Sequence, residues 1–393
     1  MSSFVEYSNN QDLIAALSRF KTKRELLASD AYRQHCARIA GLLETPRQFQ
    51  FDGACPLIQD FMRVAQWNIE KGKHLDAVIE TFRKHPVLRY ADLISINEAD
   101  VGMNRSGQRF TARELGAALG MNVVFAPSYL EFSKGYGEDL KMPGENTIAL
   151  QGNAILSRYA LHQPRIIELP VCFDHFEHAE KRIGRRIAVA AEIEISGRQV
   201  SFVGAHLEVR NSPACRARQM AAIIADLELA GASAAIIAGD FNTNTFARGG
   251  WWRTARGGLR LALADPERLA RELVAPQPRE PLFALLERHG FTERGFNSAE
   301  ITCRTPMRGF EDGSHLPQSW REAFERRLAR HNYQLDMRLD WIAGRNVRSL
   351  SNDEVVDAAS GVASLSPQTI AGLKNEHSGA IADHDPITAD VIV

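Results

Sequence analysis

The sequence has too few cysteines, too widely scattered, to build a disulfide framework. Its five cysteines are odd in number among 393 residues, and this usage favours a reducing compartment. No apolar run is long enough to cross a bilayer, and the first residues lack the basic and apolar regions of a signal peptide. We therefore expect a soluble cytoplasmic protein without a transmembrane segment.

Neither sign of charge is in excess. The chain has 47 Lys+Arg against 48 Asp+Glu, which gives a formal net charge of −1. This balance excludes a global attraction to nucleic acid or to anionic membranes, although it leaves room for local basic patches at 181–186, 210–218 and 253–260. We therefore expect a contact with few phosphates rather than a long groove for duplex DNA.

Several motifs of other enzyme families are also missing. The sequence contains no phosphate-binding P-loop, no GxSxG elbow and no HExxH zinc motif, and it has no internal repeat. Apolar residues make up 45% and charged residues 24%, which is ordinary for a globular protein. The length fits one large domain with an appendage, or two domains.

The chain is predicted to have an N-terminal helical extension and a linker over residues 1–60. Apolar residues recur at helical spacing between 11 and 45, and residues 46–60 contain two prolines and a glycine. Residues 61–393 are predicted to form the catalytic domain, because β-branched apolar runs alternate there with helical segments. This alternation indicates a large α/β or α+β domain.

Thirteen elements are predicted within this domain, with insertions near 246–280 and 303–332. The predicted strands are 61–67, 92–97, 122–126, 147–156, 186–195, 199–206, 234–239, 339–343 and 386–392. The predicted helices are 74–84, 111–119, 214–230 and 280–289.

Polar side chains follow several predicted strands, at positions where a buried strand does not need them. The apolar run 236–239 leads into Asp240 and Asn242, which point the same way on extended backbone. Such a carboxylate and amide suit a metal-assisted hydrolase, although each residue alone also fits an ordinary turn, surface acid or buried histidine. Further polar groups of this kind are Asn68, Glu70, Asn97, Glu98, His206, Glu208, Asp340, Asp383 and His384.

In this order, the motifs resemble the endonuclease/exonuclease/phosphatase superfamily, which has the DNase I-like fold. The matching stretches are Trp67-Asn68-Ile69-Glu70, Asn97-Glu98, 152–158, Ala205-His206-Leu207-Glu208, Gly239-Asp240-Phe241-Asn242, 339–342 and Asp383-His384-Asp385-Pro386. The resemblance covers about residues 61–393. It implies a four-layer α/β sandwich, in which two packed mixed β-sheets are flanked by helices, and hydrolysis of a phosphate ester with a divalent cation. Asn97 and Ala382 depart from the glutamine and serine usual in the family.

The expected metal ligands are oxygen donors. Mg²⁺, or Mn²⁺ in its place, prefers carboxylate and amide oxygens and keeps several waters. Glu98 is the first expected ligand, and the resemblance implies the same assignment. Asn68, Glu70 and Asp383 are expected close to the ion, directly or through water.

The remaining strand-end residues are expected to carry the catalytic roles. His384 is the expected general base, oriented by Asp340. Asp240 is expected to hold the attacking water, and either it or the histidine accepts the proton. Asn242 and His206 are expected to donate to non-bridging phosphate oxygens.

Weaker signals concern substrate phosphate. Arg185 and Arg186 lie in a basic run that would bind phosphate or would simply be a solvated loop. Asn153 and Arg158 belong to one of the matching motifs and are also expected near the phosphate.

The predicted function is a metal-dependent phosphodiesterase or nuclease acting on a short or single-stranded nucleic acid or a small or lipid phosphodiester. The alternatives are a phospholipid or inositol-phosphate phosphoesterase on the same fold, or a catalytically silent binding module. The sequence indicates no particular protein partner.

Overall fold

The computed structural model describes most of the chain. The described residues are 7–177, 180–247, 263–306, 333–352, 354–377 and 379–393, together with 253, 256, 257, 259, 260, 322, 326 and 329. The predicted insertion near 303–332 therefore lies mostly outside the described residues, as does the middle of the one near 246–280.

The described elements alternate along the chain. The α-helices are α1 (Gln11–Ser18), α2 (Lys23–Ala28), α3 (Asp30–Leu43), α4 (Leu75–Lys84), α5 (Thr111–Leu119), α6 (Pro213–Leu229), α7 (Pro266–Val274) and α8 (Pro281–Arg288). The strands are β1 (Arg47–Phe49), β2 (Met62–Asn68), β3 (Leu93–Val101), β4 (Asn122–Glu131), β5 (Leu150–Ser157), β6 (His162–Glu168), β7 (Arg182–Gly184), β8 (Ile187–Ile195), β9 (Arg198–His206), β10 (Ala234–Asp240), β11 (Cys303–Pro306), β12 (Gln334–Met337), β13 (Asp340–Arg345), β14 (Arg348–Ser349), β15 (Gln368–Thr369) and β16 (Ile387–Ile392).

Most strands belong to two mixed β-sheets. The first sheet has the order β1-β4-β5-β3-β2-β16-β14, with β7 paired to β4 and β15 paired to β16. The second sheet has the order β13-β10-β9-β8-β6. The parallel pairs are β2 with β3 and β9 with β10, while the other pairs are antiparallel. Strands β11 and β12 form a separate ribbon, on which α7 packs.

The two sheets pack face to face, and helices cover their outer faces. Val64 and Ile155 of the first sheet meet Phe202 and Ile236 of the second in a fully buried core. Helices α1 to α5 bury their apolar sides on the outer face of the first sheet, and α6 and α8 do so on the second. Because central strands are buried on both faces, they read as continuous apolar runs. The expected four-layer sandwich is confirmed.

The N-terminal segment packs into the same core as the first sheet. Leu13, Leu17 and Ile39 share a buried cluster with Phe125 of β4. Strand β1 lies within the stretch predicted as a linker and pairs antiparallel with β4. The segment therefore contributes an edge strand as well as helices, while the domain boundary at residue 60 stays a prediction.

Two of the five cysteines pair, although their scattered positions suggest no disulfide framework. Cys172 and Cys215 form a disulfide, with their Cα atoms 6.2 Å apart. The fold brings the loop after β6 against the first turn of α6, a contact between residues 43 apart in sequence that cysteine spacing does not reveal. Disulfides are rare in the cytosol, so the cysteines no longer support a cytoplasmic location, which stays a prediction. No helix among the described residues is long and apolar enough to span a membrane.

Candidate active site

The polar strand ends of both sheets meet at one edge of the sandwich. In the second sheet, Asp240 is the register partner of both His206 and Asp340. In the first sheet, Asn68 at the end of β2 is paired with Asn97 of β3. Asn68 Nδ2 donates to Asp240 Oδ2 over 3.2 Å, which links the two sheets. The packing of the sheets therefore assembles one cluster from separate strand ends.

Gly239 fixes the approach of the two central strands of the second sheet. A Cβ atom at this position would lie 1.9 Å from the carbonyl oxygen of Ala205. Any larger residue would therefore push β10 away from β9. The glycine thus allows Asp240 to lie beside His206, with 3.5 Å between Asp240 Oδ2 and His206 Nε2.

His384 is held in a fixed orientation by Asp340. Its Nδ1 lies 2.7 Å from Asp340 Oδ2, which also accepts a hydrogen bond from Thr302 Oγ1 at 2.7 Å. The carbonyl of His384 accepts from the indole N–H of Trp67 over 2.9 Å. With Nδ1 occupied, Nε2 is directed towards Asp240, whose Oδ2 lies 3.9 Å away. This arrangement matches the predicted Asp–His pair.

The charges around His384 favour its protonated form. Burial by itself lowers the pKa of this imidazole, but the acidic groups around it, Cys303 and Asp340 first, raise the pKa well above its usual value. An imidazole with the usual pKa of histidine, about 6.5, would instead be largely neutral near neutral pH. The structure differs because several acids converge on one buried ring. A divalent cation near Asp383 would offset part of this negative potential.

Asp240 titrates in an unusual range for a carboxyl group. Burial raises the pKa of Asp240 to about 7, the charge of His384 opposes this increase, and the charge of Asp340 adds to it. A carboxyl with such a pKa is poised to exchange a proton near neutral pH. Its oxygens are nevertheless well ordered by donors, because the backbone N–H of Asn242 donates to Oδ1 over 2.9 Å.

His206 has the opposite surroundings. Burial and the neighbouring guanidinium of Arg186 hold the pKa of this imidazole well below its usual value. Arg186 Nη1 lies 2.7 Å from Nε2 of the ring. The ring is therefore neutral, and together with Arg186 it presents a positively charged side to the cluster.

Two of the four expected metal ligands, Glu98 and Glu70, lie on strained backbone next to this cluster. Glu98 has φ 57° at an irregularity where the register between β3 and β5 shifts, so the bulge redirects its side chain. Glu70 has φ 46° and follows Asn68, whose Oδ1 accepts from the Glu70 N–H over 3.2 Å. Strained non-glycine residues of this kind cluster at functional sites.

The charges of these acids fit a hard divalent cation. Burial raises the pKa of Glu70, and the charges of Asp383 and Glu98 raise it further, so the three carboxylates repel one another. Among the described residues, neither Glu98 nor Glu70 belongs to a cluster of ligand atoms all within 4.8 Å of one another. Glu98 and Glu70 therefore do not form a closed set of direct ligands among the described residues.

Asn242 and Asn153 differ in what their amides contact. Asn242 has φ 52° and donates from Nδ2 to the carbonyl of Leu207 over 3.0 Å, which fixes its amide beside Asp240. Asn153 accepts from Asn97 Nδ2 at 3.2 Å and donates to the carbonyl of Ile187 at 3.1 Å. Asn153 therefore braces Asn97 inside the protein instead of pointing to a phosphate.

The comparison with protein families agrees with this site. The family model described as "Endonuclease/Exonuclease/phosphatase family" matches residues 65–347. The chain belongs to this family. It is accordingly a phosphoesterase-type hydrolase. No curated protein matches the chain.

Solved structures with a similar fold are distant in sequence. The endonuclease/exonuclease/phosphatase from Beutenbergia cavernae DSM 12333 is 12% identical, with a TM-score of 0.44, and the match covers 85% of this chain and 72% of that one. D. rerio TDP2 complexed with single strand DNA product is 15% identical, with a TM-score of 0.44, over 85% and 100% of the two chains. The human Nocturnin catalytic domain with bound sulfate anion is 16% identical, with a TM-score of 0.41, over 88% and 97%.

Two arginines that were predicted near the substrate phosphate, Arg158 and Arg185, lie outside the polar cluster around Asp240. Arg158 follows Ser157, which pairs with Leu93 at the start of β3, whereas Glu98 lies near the other end of that strand. Arg158 therefore lies at the opposite edge, because the antiparallel course of β5 carries its C-terminal end there. The Arg185 guanidinium pairs with Glu168 on the surface.

The structure also adds residues to the site of this endonuclease/exonuclease/phosphatase family member. Lys71 is buried with φ 67°, its Nζ lies 3.6 Å from a carboxylate oxygen of Glu180, and its charge lowers the pKa of Glu70. Lys71 Nζ also lies 4.5 Å from the ring centroid of Tyr136. Lys71 directly follows the Trp67–Glu70 motif, so the sequence offered a signal for this residue. The sequence offered no signal for Thr302, because it lies 38 residues from Asp340 and outside every motif.

Proposed function

We propose that the chain is a Mg²⁺- or Mn²⁺-dependent phosphodiesterase that cleaves the P–O bond of a short or single-stranded nucleic acid by attack of water. The observation that carries this proposal is the position of Asp240. Its Oδ2 lies 3.2 Å from Asn68 Nδ2, 3.5 Å from His206 Nε2 and 3.9 Å from His384 Nε2. A carboxylate with an imidazole on each side is able to hold a water and to move its proton.

Asp240 and His384 are the proposed acid–base pair. Asp240 accepts a hydrogen bond from the attacking water and orients it towards phosphorus. The proton of that water goes to the pair, whose two groups lie close enough to titrate together. Asp340 keeps His384 in the tautomer that directs Nε2 towards Asp240.

His206, Asn242 and Arg186 are the proposed stabilisers of the phosphoryl oxygens. Arg186 donates to the neutral ring of His206, whose other nitrogen keeps its proton and is the proposed donor, and the Asn242 amide is fixed by its hydrogen bond to the Leu207 carbonyl. These donors are fixed before the reaction, so they stabilise the negative charge that develops in the transition state without reorganising. A divalent cation held by Glu98 and Asp383, beside Asn68 and Glu70, supplies further charge at the same oxygens when bound.

A basic cavity beside the site supports a substrate with several phosphates. The cavity, of about 390 Å³, is lined by Thr245, Phe246, Ala247, Arg253, Arg256, Gly257 and Arg260. It begins three residues after Asn242, and the Arg260 guanidinium lies 4.7 Å from the Phe246 ring centroid. Arginines bind phosphates through paired N–H donors. Phe246 is buried and Arg260 is paired with Glu272, so the exposed Arg253 and Arg256 are the cavity residues that would meet a phosphate.

One observation favours a second candidate, a phospholipid phosphoesterase. Leu259 and Leu263 are four residues apart and are 58% and 68% exposed, beside the arginines of the basic cavity. Exposed apolar side chains next to basic ones are typical of protein surfaces that lie on anionic membranes. An enzyme of this kind would take the phosphodiester of a lipid head group into the same site.

A substrate panel tests these two functions. The full chain is incubated with Mg²⁺ or Mn²⁺ and with a short single-stranded DNA, the same strand as a duplex, RNA, inositol phosphates, or vesicles of an anionic phospholipid. We expect hydrolysis of the single strands and little of the other substrates. The Asp240→Asn variant serves as the control for contaminating nucleases. Hydrolysis of vesicle lipid alone would establish the second candidate, and no hydrolysis with the cation bound would establish a silent binding module.

A further inference from the structure

A cysteine lies against the proposed catalytic histidine, where the oxygen chemistry of the site has no use for sulfur. Cys303 begins β11 and forms an antiparallel bridge with His384. Two backbone hydrogen bonds fix this contact: Arg304 N–H donates to the Asp383 carbonyl at 3.3 Å, and Asp385 N–H donates to the Thr302 carbonyl at 2.7 Å. The position of the thiol therefore follows from the backbone pairing.

Three different ligand types converge at this contact. One ligand atom each from Cys303, Asp383 and His384 lie within 4.8 Å of one another. Cys303 and His384 are 2% and 6% exposed, while Asp383 is exposed to solvent. The cluster is thus closed on its sulfur and nitrogen side and open on its carboxylate side, where a cation has access.

The neighbours of His384 prepare its ring for a cation. Nδ1 lies 2.7 Å from Asp340 Oδ2, so Nε2 remains for a metal ion. Carboxylate–histidine pairs of this kind orient histidine ligands in zinc sites and increase their basicity. A sulfur, a nitrogen and an oxygen from the protein, with water as the fourth ligand, fit tetrahedral Zn²⁺. Mg²⁺ does not select sulfur, so this set of ligands distinguishes thiophilic cations from the proposed catalytic ion.

We infer that Cys303, Asp383 and His384 form a second cation site, selective for a thiophilic divalent cation such as Zn²⁺, and that its occupation inhibits hydrolysis. The cation takes His384 from the acid–base pair and Asp383 from the proposed Mg²⁺ site. The Cys303 thiol and the protonated His384 ring each lose a proton to solvent when the cation binds, because thiolate and neutral imidazole are the ligand forms. The inhibitory half of this inference rests on the proposed function, whereas the binding half does not.

Co²⁺ provides a spectroscopic test of binding that needs no activity. The full chain carries Cys36→Ser and Cys55→Ser, which remove the two exposed free thiols and leave Cys303 as the remaining free cysteine. The protein is treated with chelator, and no reductant is added, so that the Cys172–Cys215 disulfide stays intact. We expect a thiolate-to-cobalt charge-transfer band in the near ultraviolet, together with the visible bands of tetrahedral cobalt. Absence of the charge-transfer band in this protein would overturn the inference.

The matched variant adds Cys303→Ser to the same background. The charge-transfer band should disappear, while Co²⁺ bound by oxygen ligands alone gives no such band. A band that persists without Cys303 would place the site elsewhere and would also overturn the inference. Circular dichroism of this variant, and of Cys303→Ala, checks that the fold is retained. The first measurement decides the matter even if both variants fail to fold.

Zn²⁺ inhibition tests the second half. Each protein is assayed at saturating Mg²⁺ and expressed relative to its own activity without Zn²⁺. Loss of even an outer partner of a zinc ligand costs about 10- to 100-fold in affinity, so Cys303→Ser should raise the half-inhibitory Zn²⁺ concentration at least about tenfold. Equal inhibition with and without Cys303 would refute the inhibitory role. A chain without hydrolytic activity but with the Co²⁺ band would instead refute the proposed function and keep the cation site.

Discussion

The two histidines beside Asp240 lie in opposite electrostatic surroundings. The anionic flank consists of Glu98, Asp340, Asp383 and His384. Burial lowers the pKa of His384, but Cys303, Asp340 and Asp383 beside the ring raise this pKa well above its usual value. The cationic flank consists of His175, Arg182, Arg186 and His206, where burial and the Arg186 guanidinium lower the pKa of His206. One residue type is thus protonated on one side of Asp240 and neutral on the other.

The difference shows that neighbours, rather than position, decide what each histidine does. Both rings lie at the same edge of the sandwich, and both are within 4 Å of Asp240 Oδ2. Negative charge on one flank suits a cation and a transferable proton. Positive charge on the other flank suits phosphoryl oxygens. A phosphate placed between the flanks would meet both sets of groups at once.

Removing the cation should cause the largest loss. Chelation with EDTA should abolish activity and Mg²⁺ should restore it, because uncompensated acids on the anionic flank repel the substrate phosphate. Glu98→Gln should lower kcat/KM about 10³-fold or more, because the variant loses several kcal/mol of transition-state stabilisation. The matched control is Glu194→Gln, an exposed acid at the far end of β8. Full activity in chelator would reject metal assistance.

Breaking the Asp–His pair should have the next largest effect. His384→Ala removes one member of the acid–base pair and should reduce kcat by about 10²-fold or more. Asp340→Asn should do similar damage with the fold retained, because the ring loses its orienting acceptor. Asp336→Asn, an exposed acid on β12, controls for a general loss of charge. Near-normal turnover in either site variant, with the cation still bound, would show that the roles are misassigned.

Removing the charge of Arg186 should make the electrostatic surroundings of His206 more like those of His384. In Arg186→Gln, the pKa of His206 should rise towards its usual value, although only in part, since burial is the larger cause. Loss of a charge-assisted hydrogen bond should cost about 1.5–3 kcal/mol, or about 10- to 100-fold in kcat/KM.

NMR titration of the His206 ring, assigned with His206→Gln, measures this shift directly. Arg186→Lys is the matched variant, because it keeps the charge but loses the guanidinium fork. An unchanged His206 titration in Arg186→Gln would show that burial alone sets its protonation.

Much of the fold was readable from local sequence pattern. All nine predicted strands and four predicted helices of the catalytic domain are present, because buried strands and amphipathic helices each have their own periodicity. Strand β6 was missed, since it has only one buried residue and since Pro164 and its polar residues leave no apolar run. Strand β3 continues past its predicted end because a bulge at Glu98 lets pairing resume at Ala99.

The sequence predicted members of the polar cluster around Asp240 only where a residue lies at the end of a recognisable strand. Asp240, Asp340 and His206 each stand at a strand end, and parallel or antiparallel register brings them together. Cys303 meets His384 across 81 positions of sequence, through a loop pairing that no periodicity encodes. The protonation states were equally hidden, because they depend on which charges tertiary packing places around each ring.

The last prediction concerns stability rather than catalysis, and it comes from His175 on the cationic flank. Burial first, and the charge of Arg182 next, lower the pKa of His175 to about 4. The unfolded chain binds this proton near pH 6.5, whereas the folded chain does so only near pH 4. Folding therefore opposes protonation, and the stability that His175 contributes above pH 6.5 is lost as the pH falls from 6.5 to 4. The difference corresponds to at most about 3.4 kcal/mol.

Urea unfolding between pH 7.5 and 4.5, with the disulfide kept oxidised, measures this loss. His175→Gln should flatten the decline in the free energy of unfolding, because glutamine does not titrate and still offers an amide to Glu208, which lies 3.3 Å from the native ring. His377→Gln, an exposed histidine, should keep the wild-type slope. Equal slopes in wild type and His175→Gln would mean that His175 titrates as it does in the unfolded chain. The cationic flank would then lower the pKa of His206 alone. The electrostatic difference between the two flanks would in that case concern only His206 and His384, the two rings beside Asp240.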